Sequence, residues 1–220
     1  MNLLDYGRIL LRRGWIMLLL AVVAGVAAYL FSSMLTPIYR SSQTILIVPS
    51  RSDFGLTQAA VQTLNNRVAY LSSDVVAKTI IDQLQLDMSP GELRGKTTFT
   101  AVRDNLTIQI DVDMEAPNEN VADRLINPIA AGWGNALIQY QNQLNQEARR
   151  EDRITAQPQD NPKIGLLRPQ LRVNVLIGAL AGLFVGAVIV FLLEFMESGI
   201  VRSRKDLERD GLTVLAVVPE

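Results

Sequence analysis

The stretch WIMLLLAVVAGVAAYLFSSML, Trp15 to Leu35, and its counterpart VNVLIGALAGLFVGAVIVFLL, Val173 to Leu193, decide the architecture of this chain. At ~1.5 Å of rise per residue, either run as a helix covers roughly the 30 Å hydrocarbon thickness of a bilayer. Neither contains a charged side chain. The chain between them is polar enough to be a water-soluble domain. The expected fold class is therefore α+β, with two transmembrane helices flanking a small extracytoplasmic α/β domain. The expected divisions are a cytoplasmic segment at 1–14, a first span at 15–35, the α/β domain at 36–157, a proline-containing connector at 158–172, a second span at 173–193 and a cytoplasmic tail at 194–220.

Orientation follows from the short ends. The head carries Arg8, Arg12 and Arg13 against Asp5, and the tail carries Arg202, Arg204, Lys205 and Arg209. Basic residues next to a span stay on the cytoplasmic side, so both termini are expected inside and the long loop outside. The first apolar run exceeds the usual signal-peptide core and no clean small-x-small cleavage site follows it before Pro37, so it is read as a retained span and not a cleaved leader.

Composition excludes much chemistry. The chain has no Cys and no His, so it offers no disulfide, no thiolate nucleophile, no Ser-His-Asp triad and no ordinary zinc site. It contains neither a GxxxxGK[ST] phosphate loop nor a GxGxxG turn. The reading is a non-enzyme with no cofactor, no metal site and no catalytic residue. A net charge of -1 argues against nucleic acid as a partner.

The outer loop alternates helix and strand signals. Arg40 to Val48 reads as a strand with Ile45 and Ile47 on one face. Leu106, Ile108, Ile110 and Val112 alternate with Thr107, Gln109, Asp111 and Asp113 in a half-buried strand that Arg103-Asp104-Asn105 turns back on Thr97 to Val102. Between these, Ala60, Leu64, Val68 and Leu71 have helical spacing, as do Val76, Ile80 and Leu84, with Ser73 as a cap between the two helices. Ser89-Pro90-Gly91-Glu92 has capping-box spacing with proline at the first helical position, which starts a further short helix.

A longer helix is expected from Pro117 toward Arg150, interrupted or kinked at Pro128. On it Trp133, Leu137, Tyr140 and Leu144 repeat at spacings of four, three and four, a seam on which a neighbouring helix or subunit would pack, or by which the helix lies on its own sheet. The polar side, Gln139, Gln141, Asn142, Gln143, Asn145 and Gln146, is read as solvated surface, with glycan hydroxyls as an alternative contact. Pro158, Pro162 and Pro169 rule out continuous helix and suggest a semi-extended return to the bilayer. In the second span Gly178, Gly182 and Gly186 fall four apart; Gly25, with Ala21, Ala24 and Ala28, offers a matching small-residue face in the first. The partner of that stripe is either the chain's own first span or another protomer's.

In the tail, Ser203 suits a helix cap and Gly211 a helix end. Val214, Leu215, Ala216, Val217 and Val218 then read as an apolar strand ending at Pro219 with no cytoplasmic strand to pair with. Such a strand is best resolved by adding to a groove or sheet edge of another protein.

The order Asp5-Tyr6-Gly7-Arg8-Ile9-Leu10, Arg12-Arg13-Gly14-Trp15 and Pro37-Ile38-Tyr39 resembles the amino end of the chain-length determinant (Wzz) family of polysaccharide co-polymerases. Pro158 and Pro162-Lys163 before a glycine-rich span, then Glu194, Arg202-Ser203-Arg204-Lys205-Asp206-Leu207 and Val214 to Pro219, are similar to that family's proline-rich segment and its join to a tyrosine-kinase domain. Ala116-Pro117-Asn118 through Ala122 to Asn127 is similar to a weaker family pattern. The resemblance implies a bacterial cytoplasmic-membrane scaffold that forms a homo-oligomeric ring and regulates the length of a surface, capsular or exopolysaccharide. Its implied partners are a polysaccharide polymerase, membrane lipid and a separate cytoplasmic tyrosine kinase engaged by Val214 to Val218. The chain looks most like the short adaptor type, because the outer domain lacks the length of the larger co-polymerases' arms. A membrane sensor that binds a ligand outside and signals through its tail is the alternative.

Overall fold

The computed structural model describes residues 3–51 and 53–198, so the apolar tail stretch Val214 to Val218 and the basic residues Arg202, Arg204, Lys205 and Arg209 lie outside the described residues. The chain forms two compact units, one holding the two long apolar helices and the other comprising Leu35–Pro169.

In the first unit, α1 (Leu3–Ser33) and α6 (Leu171–Ser198) form an antiparallel pair. Their apolar portions, Arg12–Ser33 and Leu171–Met196, are long enough to cross a bilayer. Valine, leucine and phenylalanine side chains stand exposed around both helices, among them Val22, Leu30, Leu180 and Phe184. In water such a surface would be a liability; in lipid it is the expected outside of a two-helix hairpin.

The second unit runs β1 (Ile38–Pro49), α2 (Phe54–Leu71), α3 (Asp74–Leu84), α4 (Pro90–Gly95), β2 (Thr97–Val102), β3 (Thr107–Glu115), α5 (Glu119–Glu147), β4 (Ile154–Pro158) and β5 (Lys163–Arg168), with a single 3-10 turn before β4. Side-chain caps start the helices as their sequences suggest. Ser73 accepts from the Val76 N–H, Ser89 from Glu92 and Asn118 from Val121. Asp53 caps α2 through the Leu56 N–H, and that bond, with Arg51 beside it, holds its carboxyl below the usual carboxylate range.

The sheet order is β2-β3-β1-β4, and β5 also pairs with β1. β1 is the axis. It takes β3 along one side, with Arg40 opposite Asp113 and Ile45 opposite Ile108, and on its other side β4 beside Ile45–Pro49 and β5 beside Ile38–Ser42. The β2–β3 hairpin forms as expected, but it pairs Val102 with Thr107, one residue beyond the register that a turn of Arg103-Asp104-Asn105 alone would give. The turn itself includes Leu106, which has a φ of 52° and so leaves the strand; its carbonyl accepts from the Ile47 N–H.

Two differences from the sequence reading have clear causes. The stretch after α5 is not merely a semi-extended return, because it contributes two strands to the sheet. Pro158 and Pro169 sit at or just past strand ends, where a missing N–H costs no ladder bond. Likewise α5 passes through Pro128 without interruption, since packing of the whole helix on the sheet outweighs one lost backbone bond. The core lies between the sheet and the helices: Ile45, Ile47, Leu64, Ile80, Leu93, Ile108, Ile110, Ile126, Trp133 and Leu137 are all fully buried.

Candidate functional site

Backbone approach dominates the pairing of the two spans. Gly178, Gly182 and Gly186 all face α1. A Cβ added at Gly182 would lie 2.5 Å from the Leu20 carbonyl oxygen and 2.6 Å from the Ala24 Cβ. At Gly178 it would meet the Ala28 Cβ at 2.6 Å, and at Gly186 the Met17 Cα at 2.8 Å. Real Cβ atoms do not approach so closely, so these positions require glycine for the observed contact. Gly25 differs, since its added Cβ would touch the Ala179 Cβ at an ordinary 3.6 Å. Of the two partners left open by the sequence, the chain's own first span is the one that meets the stripe.

Polar ties pin both ends of this hairpin. Asn174 Nδ2 donates to Ser32 Oγ at 2.8 Å, and Arg13 Nε lies 3.7 Å from Glu194 Oε2. Hydrogen bonds between spans contribute about 0.6 kcal/mol on average, so they fix register more than they supply stability.

In the outer domain, the residues read as a seam on α5 have separate fates. Trp133 and Leu137 are fully buried against the chain's own sheet; Phe99 meets the Trp133 ring edge-on, with centroids 5.0 Å apart. They leave no surface for another subunit. Tyr140 stacks on Tyr70 at 3.8 Å between ring centroids, which joins α5 to α2. Only Leu144 of the four is exposed, at 45%. The physical reason is that the helix has a single apolar stripe and its own sheet lies within reach of it. Gly134 completes that contact: an added Cβ would come 2.5 Å from Gln43 Oε1.

Arg67 was not singled out by its sequence, although it shares the buried face of α2 with Leu64 and Leu71. It is 4% exposed, donates from Nε to Gln141 Oε1 at 2.8 Å and also bonds Thr63 Oγ1, and burial pushes its pKa down. Both acceptors are neutral, so the cation is solvated by amide and hydroxyl oxygen in place of a carboxylate. The Arg67–Gln141 bond crosses between α2 and α5 just beside the Tyr70–Tyr140 stack, and the two contacts together lock these helices.

The opposite face of the sheet is charged. Arg40 donates from Nε and Nη2 to the two oxygens of Asp113, both at 2.6 Å, a bidentate pair that raises the Arg40 pKa. Asp111 is nearly buried, accepting from Ser42 Oγ at 2.6 Å and Gln109 Nε2 at 3.0 Å. Among the described residues no three His, Cys, Asp or Glu side chains gather as a metal site.

These two units, an antiparallel pair of bilayer-length helices and the α/β domain inserted between them, are the setting for the comparisons. Residues 1–84 match the model of the chain length determinant protein (Wzz) family. The family resemblance holds. It extends beyond the matched segment: the chain is 26% identical over 226 residues to the capsular polysaccharide biosynthesis protein CpsC of Streptococcus pneumoniae, covering 99% of this chain and 94% of that one. It is 26% identical to the probable capsular polysaccharide biosynthesis protein YwqC of Bacillus subtilis, over 88% of this chain and 76% of the relative. A CpsC of Streptococcus agalactiae is 25% identical over 96% of this chain and 92% of its own. The Wzz-matched part runs from α1 through β1 and α2 to the end of α3, so it takes in the first span and the axial strand of the sheet.

Proposed function

We propose that this protein is a membrane adaptor of the polysaccharide co-polymerase type, which regulates the polymerisation and export of a capsular or other surface polysaccharide without catalysing a reaction itself. The observation that carries this reading is the near end-to-end similarity to capsular polysaccharide biosynthesis proteins, in a chain whose two bilayer-length helices flank one α/β domain. In this reading both termini are cytoplasmic, as the arginines near each span favour, and the α/β domain faces outward.

Regulation would come from assembly. Copies of the chain form a closed ring in the membrane, their outer domains side by side, and the ring works with a polymerase to set how far the glycan grows. Contacts between protomers use surface left outside the domain core, Leu144 included, since Trp133 and Leu137 are already occupied. The tail segment Val214 to Val218 docks on a cytoplasmic ATP-binding tyrosine kinase.

The deciding experiment is the size distribution of surface glycan in cells with and without this protein. A shift in length supports the co-polymerase reading. Altered kinase activity with unchanged glycan length supports the sensor reading, and no change in either overturns both. Removal of Thr213 to Glu220 should abolish kinase stimulation while membrane insertion and assembly persist. Equal autophosphorylation of the purified kinase with the tail-less protein would overturn the docking role. A wild type that is strictly monomeric in nanodiscs would overturn the ring.

A further inference from the structure

On its uncovered face the sheet carries a cleft of about 530 Å³ where β1, β3 and β5 run side by side. Ile38 is paired with Glu115 on one side and Arg168 on the other, and the next row in the same direction along β1 pairs Arg40 with Asp113 and Gly165. Residues two apart on β1 and β3 share a face, and a register shift in the β5 pairing between Ile38 and Tyr39 brings Arg168, three residues from Gly165, opposite Ile38. Gly165 adds no side chain to the cleft, and nothing lies within 4 Å of where a Cβ would be, which keeps it open beside Arg40.

Arg40 is oriented before any ligand arrives. Its Nε and Nη2 are committed to Asp113, and this side-on pairing leaves the Nη1 donors and one of Nη2 unused at the outer edge of the guanidinium. Arg168, at the end of β5, lines the same cleft with no carboxylate partner among the described residues. Lys96 lines it too, though its Nζ is shared with Glu92 at 2.7 Å in an exposed pair of little strength. Three lining cations against the carboxylates of Asp113 and Glu115 leave one net positive charge.

Position along the chain limits how far this cleft lies from the bilayer. Arg168 lies three positions before Leu171, where the second span starts, and Ile38 lies five positions after Ser33, where the first ends. At no more than about 3.6 Å per residue, chain connectivity keeps the Cα of Arg168 within roughly 11 Å of that of Leu171 and the Cα of Ile38 within roughly 18 Å of that of Ser33. Lipid headgroups are the anionic groups concentrated within that reach of the span ends.

We propose that this cleft binds the phosphodiester headgroup of an anionic membrane lipid, with Arg40 and Arg168 as its two arms. Guanidinium forks match phosphate oxygens in pairs, and one net positive charge suits a monoanionic diester better than a dianionic free phosphate, which Glu115 would repel. The occupied cleft ties the sheet to the bilayer surface. This inference goes beyond the co-polymerase reading and does not depend on it.

The test is titration of the full-length protein in detergent with dioctanoyl phosphatidylglycerol, with inorganic phosphate in a parallel arm, followed by native mass spectrometry. Arg168→Gln should weaken lipid binding about tenfold or more, the scale of one charge-assisted bond, and Arg40→Lys should do likewise by losing the fork while keeping its charge. Glu115→Gln should tighten binding, a gain that misfolding cannot produce. Lys163→Gln removes the same charge from the same strand outside the cleft and should leave affinity within about twofold of the wild type. Equal losses for Lys163→Gln and Arg168→Gln would mean diffuse attraction and overturn the site. So would unchanged affinity in Arg168→Gln, or inorganic phosphate binding as tightly as the lipid.

Discussion

The α1–α6 contact and the α5–β1 contact both close around glycine, yet they are built on opposite principles. Between the spans, glycine is the contact itself: Gly178, Gly182 and Gly186 bring α6 against the backbone of α1. No hydrophobic force draws the two together in lipid, so close van der Waals approach must hold them, with the Ser32–Asn174 bond fixing their register. Between α5 and β1 the attraction is burial of Trp133, Leu137, Ile45 and Ile47 from water, and Gly134 only makes room for Gln43. Loss of bulk should therefore damage the domain, and gain of bulk should damage the hairpin.

The largest expected effect is on the domain side. Trp133→Ala should destabilise the outer domain by about 3–5 kcal/mol, read as a lower urea midpoint by circular dichroism, because it empties the centre of the core. Leu144→Ala, on the same helix but exposed, should cost less than about 0.5 kcal/mol. Equal losses at the two positions would break the contrast.

On the membrane side, Gly182→Leu should separate the spans at a cost of about 1–3 kcal/mol. Because the chain has no cysteine, the Ser32→Cys, Asn174→Cys double variant provides a clean reporter. Its intramolecular disulfide should form readily in nanodiscs and slowly once Gly182→Leu is added, while Gly25→Ala in the same background should leave it unchanged. A crosslinking rate insensitive to Gly182→Leu would sink the close-packing account.

A smaller effect sharpens the comparison at helix starts. Asn118→Ala removes the bond to the Val121 N–H that begins α5 and should cost about 1 kcal/mol, measured in the same urea unfolding. The smallest depends on pH. Asp53 accepts from Leu56 and Glu92 pairs with Lys96, and both carboxyls titrate below their ordinary range when folded. Their contribution is complete above the unfolded-state pKa and is lost as the pH falls through the lower folded values. Melting temperature should thus decline from about pH 5 downward, and Asp53→Asn should flatten part of that slope. A decline equally steep in Asp53→Asn would mean that the carboxylate cap contributes nothing.

The elements most legible from sequence were those determined by local rules. The caps at Ser73 and Ser89 depend on residue type and spacing over one turn, and the two spans depend on length and apolarity alone. The β2–β3 hairpin was legible from its turn signal and its alternation, although the turn is one residue longer than those show and takes in Leu106, which leaves the strand through a positive φ. Less legible were β4 and β5, whose prolines suggest a break until β1 is seen to accept strands of five and six residues between them. The α5 stripe showed its period but not its partner, and Arg67 carried no visible signal, because a cation on an apolar helix face acquires its meaning from Gln141 on another helix.

By itself, then, the sequence determined two membrane-length helices, the mixed domain between them and the glycine periodicity of the second span, all properties of contiguous residues. The tertiary structure alone decided that α6 meets its own α1, that Trp133 and Leu137 belong to the core, and that Arg40, Asp113 and Arg168 border one cleft. Each of those joins residues far apart along the chain, and such pairings arise only when the fold chooses among competing partners for the same apolar or charged surface.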